Sequence, residues 1–335
     1  MKLDAKPGYT VAPAVAPPIC REGEVLLIVE AASICGTDLH IWNWDDWASH
    51  RVVPPRIMGH EMAGTIAQLG PGVTGFEIGT RAAVESHVVC GACGPCRSGR
   101  SHVCERTRIL GVDTDGVFAS QVVVPAVNLH PVPPSVAPEV AAFMEPLGNA
   151  VHSCQPHQME GKSVAILGCG PIGCAAVAVA RAQGAASVVA VDPNPFRLSL
   201  AEAMGATSCV QDAGELAADS HTAAPDIVLE MSGAPAAVAN ALRLVVPGGA
   251  VSLLGLGPPL SLDVAADIVM RGITVYGIVG RRIPSTWELS MRYIVSGQVN
   301  PQPLFTHHLP MDDIDHAMEL MRDGRCGKIV LEPFA

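Results

Sequence analysis

The chain has 335 residues, 49% of them hydrophobic, and a net charge of −11. That is more than one core's worth of chain, and its acidity disfavours nucleic acid or an anionic membrane surface as partner. The richest apolar run, residues 164–191, is interrupted by glycines, Pro171 and Arg181, so no membrane span is expected.

Residues 11–18 are rich in Pro and Ala and leave the first strand open. From about residue 24 to 134 short apolar runs are broken by Gly and Pro, which predicts strands at 25–31, 63–69, 81–84 and 118–125. Within this β-rich stretch lies Cys35-Gly36-Thr37-Asp38-Leu39-His40. About one strand–turn–strand later comes Gly59-His60-Glu61. Taken singly, a Cys is usually a small buried hydrophobe and a His is usually structural. Together, Cys35, His60 and Glu61 offer a thiolate, an imidazole and a carboxylate, and three mixed ligands with a fourth position open are what a catalytic zinc needs.

Next comes Cys90-x2-Cys93-x2-Cys96-x7-Cys104, spaced by Gly91, Gly94, Pro95 and Gly99. A short loop bearing Cys90, Cys93, Cys96 and Cys104 suits closed tetrahedral coordination of a structural zinc. Nothing resembles a signal peptide, so a reducing cytoplasm is expected and disulfides are disfavoured. Iron–sulfur spacing would end in x3-Cys-Pro instead. Cys20, Cys154, Cys169, Cys174, Cys209 and Cys326 read as free thiols, mostly buried, with no assigned chemistry.

Near residue 138 the composition turns Ala-rich and helical, and strand–helix alternation then runs to about residue 280. A strand at 162–167 leads into Gly168-Cys169-Gly170-Pro171-Ile172-Gly173 and a helix to about residue 182. A second strand ends in Asp192, about 20 residues beyond the motif, as a dinucleotide fold requires. Gly168 permits the tight turn, Gly170 lets backbone approach the pyrophosphate, and Gly173 lets helix and strand pack closely. Asp192 can accept hydrogen bonds from the ribose hydroxyls and would repel a 2′-phosphate, which favours NAD. Arg197 could attract that phosphate, so NADP stays open. Further strands at 207–210, 226–231, 250–254 and 273–278 complete six, enough for a doubly wound parallel sheet. The last fifty residues return to the earlier style, with a helix from about 313 that puts Ile314, Ala317, Met318 and Met321 on one face and stops at Gly324. The expected organisation is an α/β chain. Residues 1–145, completed by 284–335, form the zinc-binding unit, 146–283 form the nucleotide-binding unit, and a small-molecule substrate lies in a cleft between them.

In this order the Cys-Gly-Thr-Asp-x-His, Gly-His-Glu, four-cysteine and Gly-x-Gly-x-x-Gly motifs resemble the zinc-dependent medium-chain alcohol dehydrogenases over nearly the whole chain. The resemblance implies a GroES-like β-rich catalytic domain, a Rossmann domain, one catalytic and one structural zinc, NAD, and a homotetramer. Residues 41–47 (Ile-Trp-Asn-Trp-Asp-Asp-Trp), 148–152, 230–235, Gly280-Arg281 and Thr286-Trp287 resemble a branch that oxidises the hydroxyl of an amino acid. The alternative is a polyol or a vicinal diol such as butanediol. By position, the resemblance implies Cys35, His60 and Glu61 at the catalytic zinc, and Thr37 and His40 as a proton relay. Without the motif, these last two would be a turn Thr and a surface His. It places Glu145 close to the metal, while Glu145 before Pro146 could equally start a helix. For the cofactor it implies Ile172, Asp192, Arg197, the Leu254-Gly255-Leu256 strand end, and Ile278-Val279 near the nicotinamide. Position 279 departs from the aromatic residue common in the family. Trp44 and Trp47 could wall the pocket or simply pack, and Arg281 could reach a substrate carboxylate or the cofactor phosphates.

Overall fold

A computed structural model describes residues 1–12, 18–218 and 224–333, so most of the Pro/Ala-rich segment 11–18 lies outside the described residues. The chain forms two compact units, one of residues 1–145 with 305–335 and the other of 146–304.

The first unit is built on β1 (Glu24–Ser33). It continues through α1 (Gly36–Asn43), α2 (Asp46–Arg51), β2 (Glu61–Leu69) and β3 (Arg81–Val84). The short strands β4 (His87–Val88) and β5 (Arg108–Ile109) flank α3 (Gly94–Arg97), followed by β6 (Gln121–Pro125), β7 (Leu129–Pro131) and the start of α4 (Pro138–Cys154). The segment between Cys35 and Gly59 therefore holds two helices, not the expected strand and turn. The reason is local. The Asp38 carboxylate accepts the Cys35 backbone N–H at 2.9 Å and starts α1, and Asp45 caps α2 by accepting from Ala48 N at 3.0 Å.

The second unit alternates strand and helix as far as its fifth strand. It runs β8 (Ser163–Leu167), α5 (Pro171–Ala182), β9 (Ser187–Val191), α6 (Pro195–Ala203), β10 (Ser208–Val210), α7 (Ala213–Ala218), β11 (Ile227–Glu230), α8 (Pro235–Leu244), β12 (Ala250–Leu253), β13 (Thr274–Gly277) and α9 (Ser285–Val295). Its strands pair in parallel in the order β10-β9-β8-β11-β12-β13. This is the doubly wound sheet that the sequence predicts, and its order reverses between β8 and β11. Both strands are buried over nearly their whole length, as a parallel sheet covered on two faces requires.

The chain returns to the first unit as β14 (Phe305–Pro310), α10 (Ile314–Arg322) and β15 (Lys328–Glu332). That return comes later than the expected residue 284, because α9 belongs with the second unit, where Tyr293 accepts a hydrogen bond from Gln183 Nε2 at 3.1 Å. The sheet of the first unit runs β14-β15-β1-β2-β3-β7, with β6 also on β1. The β1–β2 pairing sets Ser33 opposite Glu61, and β1–β15 sets Ser33 opposite Val330. Three segments far apart in sequence thus meet beside Cys35.

Candidate metal and cofactor sites

Cys35 sits at the turn from β1 into α1, while Glu61 opens β2 and His60 immediately precedes it. One ligand atom from each of the three lies within 4.8 Å of the others. His60 is 5% exposed and Glu61 fully buried. Close main-chain contacts and one aromatic ring fix the approach to His60. Gly59 has φ +85°, and a Cβ there would lie 2.3 Å from the Phe118 ring. Added carbons at Gly111 and Gly116 would lie 2.4 and 2.2 Å from Gly59 O. The segment 116–118 is hydrogen-bonded to residues 57–59 through Gly116 N, Val117 N and Phe118 N. This wrap is why β6 starts at residue 121 and not at the expected 118.

The charge around His60 is strongly negative. Burial lowers the imidazole pKa, but Cys35, Asp38 and Glu145 more than offset it and hold it at about 10. Asp38, itself fully buried and raised by that burial, lies 3.9 Å from His60 Nδ1 through Oδ1. Glu61 is divided. Its Oε2 accepts from Ser33 Oγ and pairs with Lys328 Nζ, while the buried Oε1 has no hydrogen-bond partner. Lys328 donates to Ile34 O at 2.8 Å, and burial pulls its pKa down while Glu61, Cys35 and Glu145 hold it above its usual value. A thiol, an imidazole and an orphaned carboxylate oxygen, converging in an anionic interior, fit a zinc ion with an open position.

Glu145 is buried and accepts from Ser86 Oγ at 2.6 Å. It does not start a helix. It lies within α4, which continues through Pro146 to Cys154 despite the one backbone donor that proline removes. Thr37 and His40 lie three residues apart on α1, hence on one face. Thr37 Oγ1 is 3.8 Å from Cys35 Sγ, and the exposed His40 pairs through Nδ1 with Asp45.

The four-cysteine lobe gathers its sulfurs within 4.8 Å of one another, with Cys93 and Cys104 Sγ atoms 3.8 Å apart. All eleven cysteines are free. Backbone N–H groups of Cys90 and Arg106 reach Cys104 Sγ at 3.3 and 3.4 Å, and Arg106 Nη2 reaches Cys90 Sγ at 3.5 Å. The Ala92 backbone N–H leads in holding Cys90 down at about 5, while desolvation and neighbouring sulfurs push Cys96 up to about 12. Four sulfurs this close need a cation before all can be thiolates, which fits a closed zinc site.

In the second unit Gly168 has φ +95°, and a Cβ there would lie 2.8 Å from Ser232. One at Gly173 would lie 1.9 Å from Gly168 O, while one at Gly170 would meet nothing. The first and third glycines thus let backbones touch, and the second faces open space at the N-terminus of α5, whose first N–H groups suit a phosphate. Asp192 is 2% exposed, and its two oxygens accept from Cys169 N and Asn194 N, each at 2.8 Å. Arg197 lies 3.8 Å from it. Gly255 packs backbone to backbone on Gly233, Leu256 is exposed, and Ile172 is half-buried at the start of α5. Ile278 is buried while Val279 is exposed. Arg281 is interior, lying over Gly148 with Nη1 donating to Asn149 Oδ1 at 3.3 Å. Trp44 packs against the core of the first unit, whereas Trp47 is partly exposed.

Several residues escaped sequence reasoning. Ser33, Ser86 and Lys328 hold the acids of the open cluster, and the buried Glu230 folds the 230–233 turn by accepting from Ser232 N and Gly233 N. A lysine opening the apolar run Lys328–Glu332 was the one local hint of a buried ion pair.

Residues 21–134 match the alcohol dehydrogenase GroES-like domain and residues 171–296 match the zinc-binding dehydrogenase model. The chain is 45% identical to an L-threonine 3-dehydrogenase of Bacillus licheniformis, over 99% of this chain and 98% of that one. It is 46% identical to an L-threonine 3-dehydrogenase of Pyrococcus horikoshii over 98% and 97%. Among solved structures, an Escherichia coli alcohol dehydrogenase complexed with NADH superposes with a TM-score of 0.89 at 28% identity, covering 98% of this chain and 97% of that one. A 2R,3R-butanediol dehydrogenase of Bacillus subtilis gives 0.85 at 25% identity, with 96% of both chains covered.

Proposed function

Since the chain belongs to the zinc-dependent medium-chain alcohol dehydrogenases, we propose that it oxidises L-threonine at its hydroxyl-bearing carbon to 2-amino-3-oxobutanoate, with NAD as hydride acceptor. The observation that carries this reading is the open Cys35–His60–Glu61 cluster with Thr37 and His40 on the adjoining helix. Near 45% identity over full length to L-threonine 3-dehydrogenases supplies the substrate. Zinc held by Cys35, His60 and Glu61 would supply the Lewis acidity that lowers the hydroxyl pKa, and NAD held at the Gly168–Gly173 turn would supply the hydride acceptor. Thr37 hands on the hydroxyl proton, and His40, exposed and oriented by Asp45, releases it to solvent. Glu145, held by Ser86, offers a carboxylate to the substrate ammonium, which would be costly to bury unpaired. Cys90, Cys93, Cys96 and Cys104 hold the structural zinc. Free thiols throughout go with a cytoplasmic enzyme, and the family resemblance with a homotetramer.

Rates of NAD reduction across substrates test the reading. L-threonine should exceed D-threonine, serine, sorbitol and 2,3-butanediol in kcat/KM. A butanediol or sugar alcohol oxidised more efficiently than L-threonine by the zinc-replete protein would make it a diol or polyol dehydrogenase. Asp192→Gly should lower NAD affinity and raise NADP use, and an unmodified protein that already prefers NADP would overturn the role of Asp192.

A further inference from the structure

Lys2 has no exposed surface. Its backbone pairs with Arg56, through Lys2 N to Arg56 O and Arg56 N to Lys2 O, both at 2.8 Å. Its ammonium donates to the carbonyls of Lys6 and Gly8, and lies 5.7 Å from the centre of the Tyr9 ring and 5.0 Å from that of Trp44. Both rings are within cation–π range. The same loop grips α1 twice more. Tyr9 OH donates to Asp38 O at 2.6 Å, and Gly8 N donates to Trp42 O at 2.8 Å.

Trp44, beneath the ammonium, is the one non-glycine among the described residues with positive φ, at 54°. A bulky residue holds such a conformation only where its surroundings over-determine it. The left-handed turn ends α1 on Ile41 O and His40 O and directs the next residue, Asp45, back along the helix, where its carboxylate meets His40 Nδ1. We propose that Lys2 is a positioning residue for the proton relay, holding Trp44 in its left-handed turn and thereby setting Asp45 against His40. The role rests on the reading of His40 as the relay base. With Nδ1 committed to Asp45, the other ring nitrogen is left to exchange the proton.

Lys2→Met, Lys2→Arg, Tyr9→Phe and His40→Ala test this in the zinc-replete enzyme. Lys2→Met should speed amide hydrogen exchange over residues 38–46 by about tenfold while leaving 163–191 unchanged. It should also lower kcat about tenfold near neutral pH and less at alkaline pH, with the KM for NAD unchanged, following the pattern of His40→Ala. Lys2→Arg, which keeps the charge, should restore most of both. Should Lys2→Met fail to fold, Tyr9→Phe should loosen the same stretch more mildly. Unchanged exchange over 38–46, or a wild-type pH–rate profile with loosened exchange, would overturn the proposal. A His40→Ala enzyme with an unaltered profile would instead remove the relay reading, while exchange would still decide whether Lys2 holds α1.

Discussion

The two clusters of the first unit that could hold a metal are built in opposite ways. Cys35, His60 and Glu61 stand where β1 runs into α1 and where β2 begins, packed over a large core, with Glu61 held by Ser33 and Lys328 and the nearby Glu145 by Ser86. Cys90, Cys93, Cys96 and Cys104 stand on a surface loop whose regular structure amounts to a four-residue helix, one 3-10 turn at Ser101–Val103 and a two-residue strand pair. What holds that loop together, besides the sulfurs, is a handful of turns. The fold makes the first site, and a metal makes the second.

The largest contrast is in activity against stability. Cys35→Ser should cut turnover by on the order of a thousandfold while the melting temperature and circular dichroism stay close to wild type. A large drop in melting temperature would show that the fold leans on this cluster after all. Lys328→Met probes the scaffold itself. In the zinc-free protein it removes the ammonium paired with the buried Glu61 carboxylate, at a cost of about 3–5 kcal/mol, read as a melting temperature lowered by roughly 10 °C or more. A zinc-free variant as stable as wild type would mean that other groups compensate the Glu61 carboxylate.

Cys93→Ser, or mild chelation, should release one zinc equivalent and cost about 1–3 kcal/mol. Limited proteolysis should then cut within residues 91–103, and metal analysis of fully active enzyme showing one zinc or fewer per chain would end the two-site account. The smallest effect is expected at Arg106→Ala. Its guanidinium touches Cys90 from the solvent side, so zinc retention in a chelator competition should weaken by about tenfold or less.

Sequence made the ligands and the nucleotide motif legible because each is a short run whose chemistry is local. Cys-x2-Cys spacing and Gly-x-Gly-x-x-Gly need only a turn to bring their residues together. Lys328 was not legible, because it meets Glu61 only through the registers of β15 on β1 and β1 on β2, across most of the chain. The helices at Gly36–Asn43 and Asp46–Arg51 were hidden for another reason. Both, at 8 and 6 residues, are shorter than the window of about 11 residues over which a helical period can be read, and the signals that start them, Asp38 and Asp45, are single side chains. The misplaced return at residue 284 has the same origin, since nothing within residues 285–295 tells which unit their buried face will join.

The meeting of Gly59 with Gly111 and Gly116 bears on how freely this chain can drift. Gly111 and Gly116 meet Gly59 main chain to main chain, and the Phe118 ring is the side chain that closes on Gly59. Neighbours such as Met58, Val112 and Val117 can be exchanged for other apolar residues, and the core will refill around them. The place of His60 does not move with that refilling, because the contacts that locate it are written mainly in backbone atoms. The chemistry is thus largely insulated from the most common kind of change a protein core accumulates, and exposed to change at three glycines and the Phe118 ring against them.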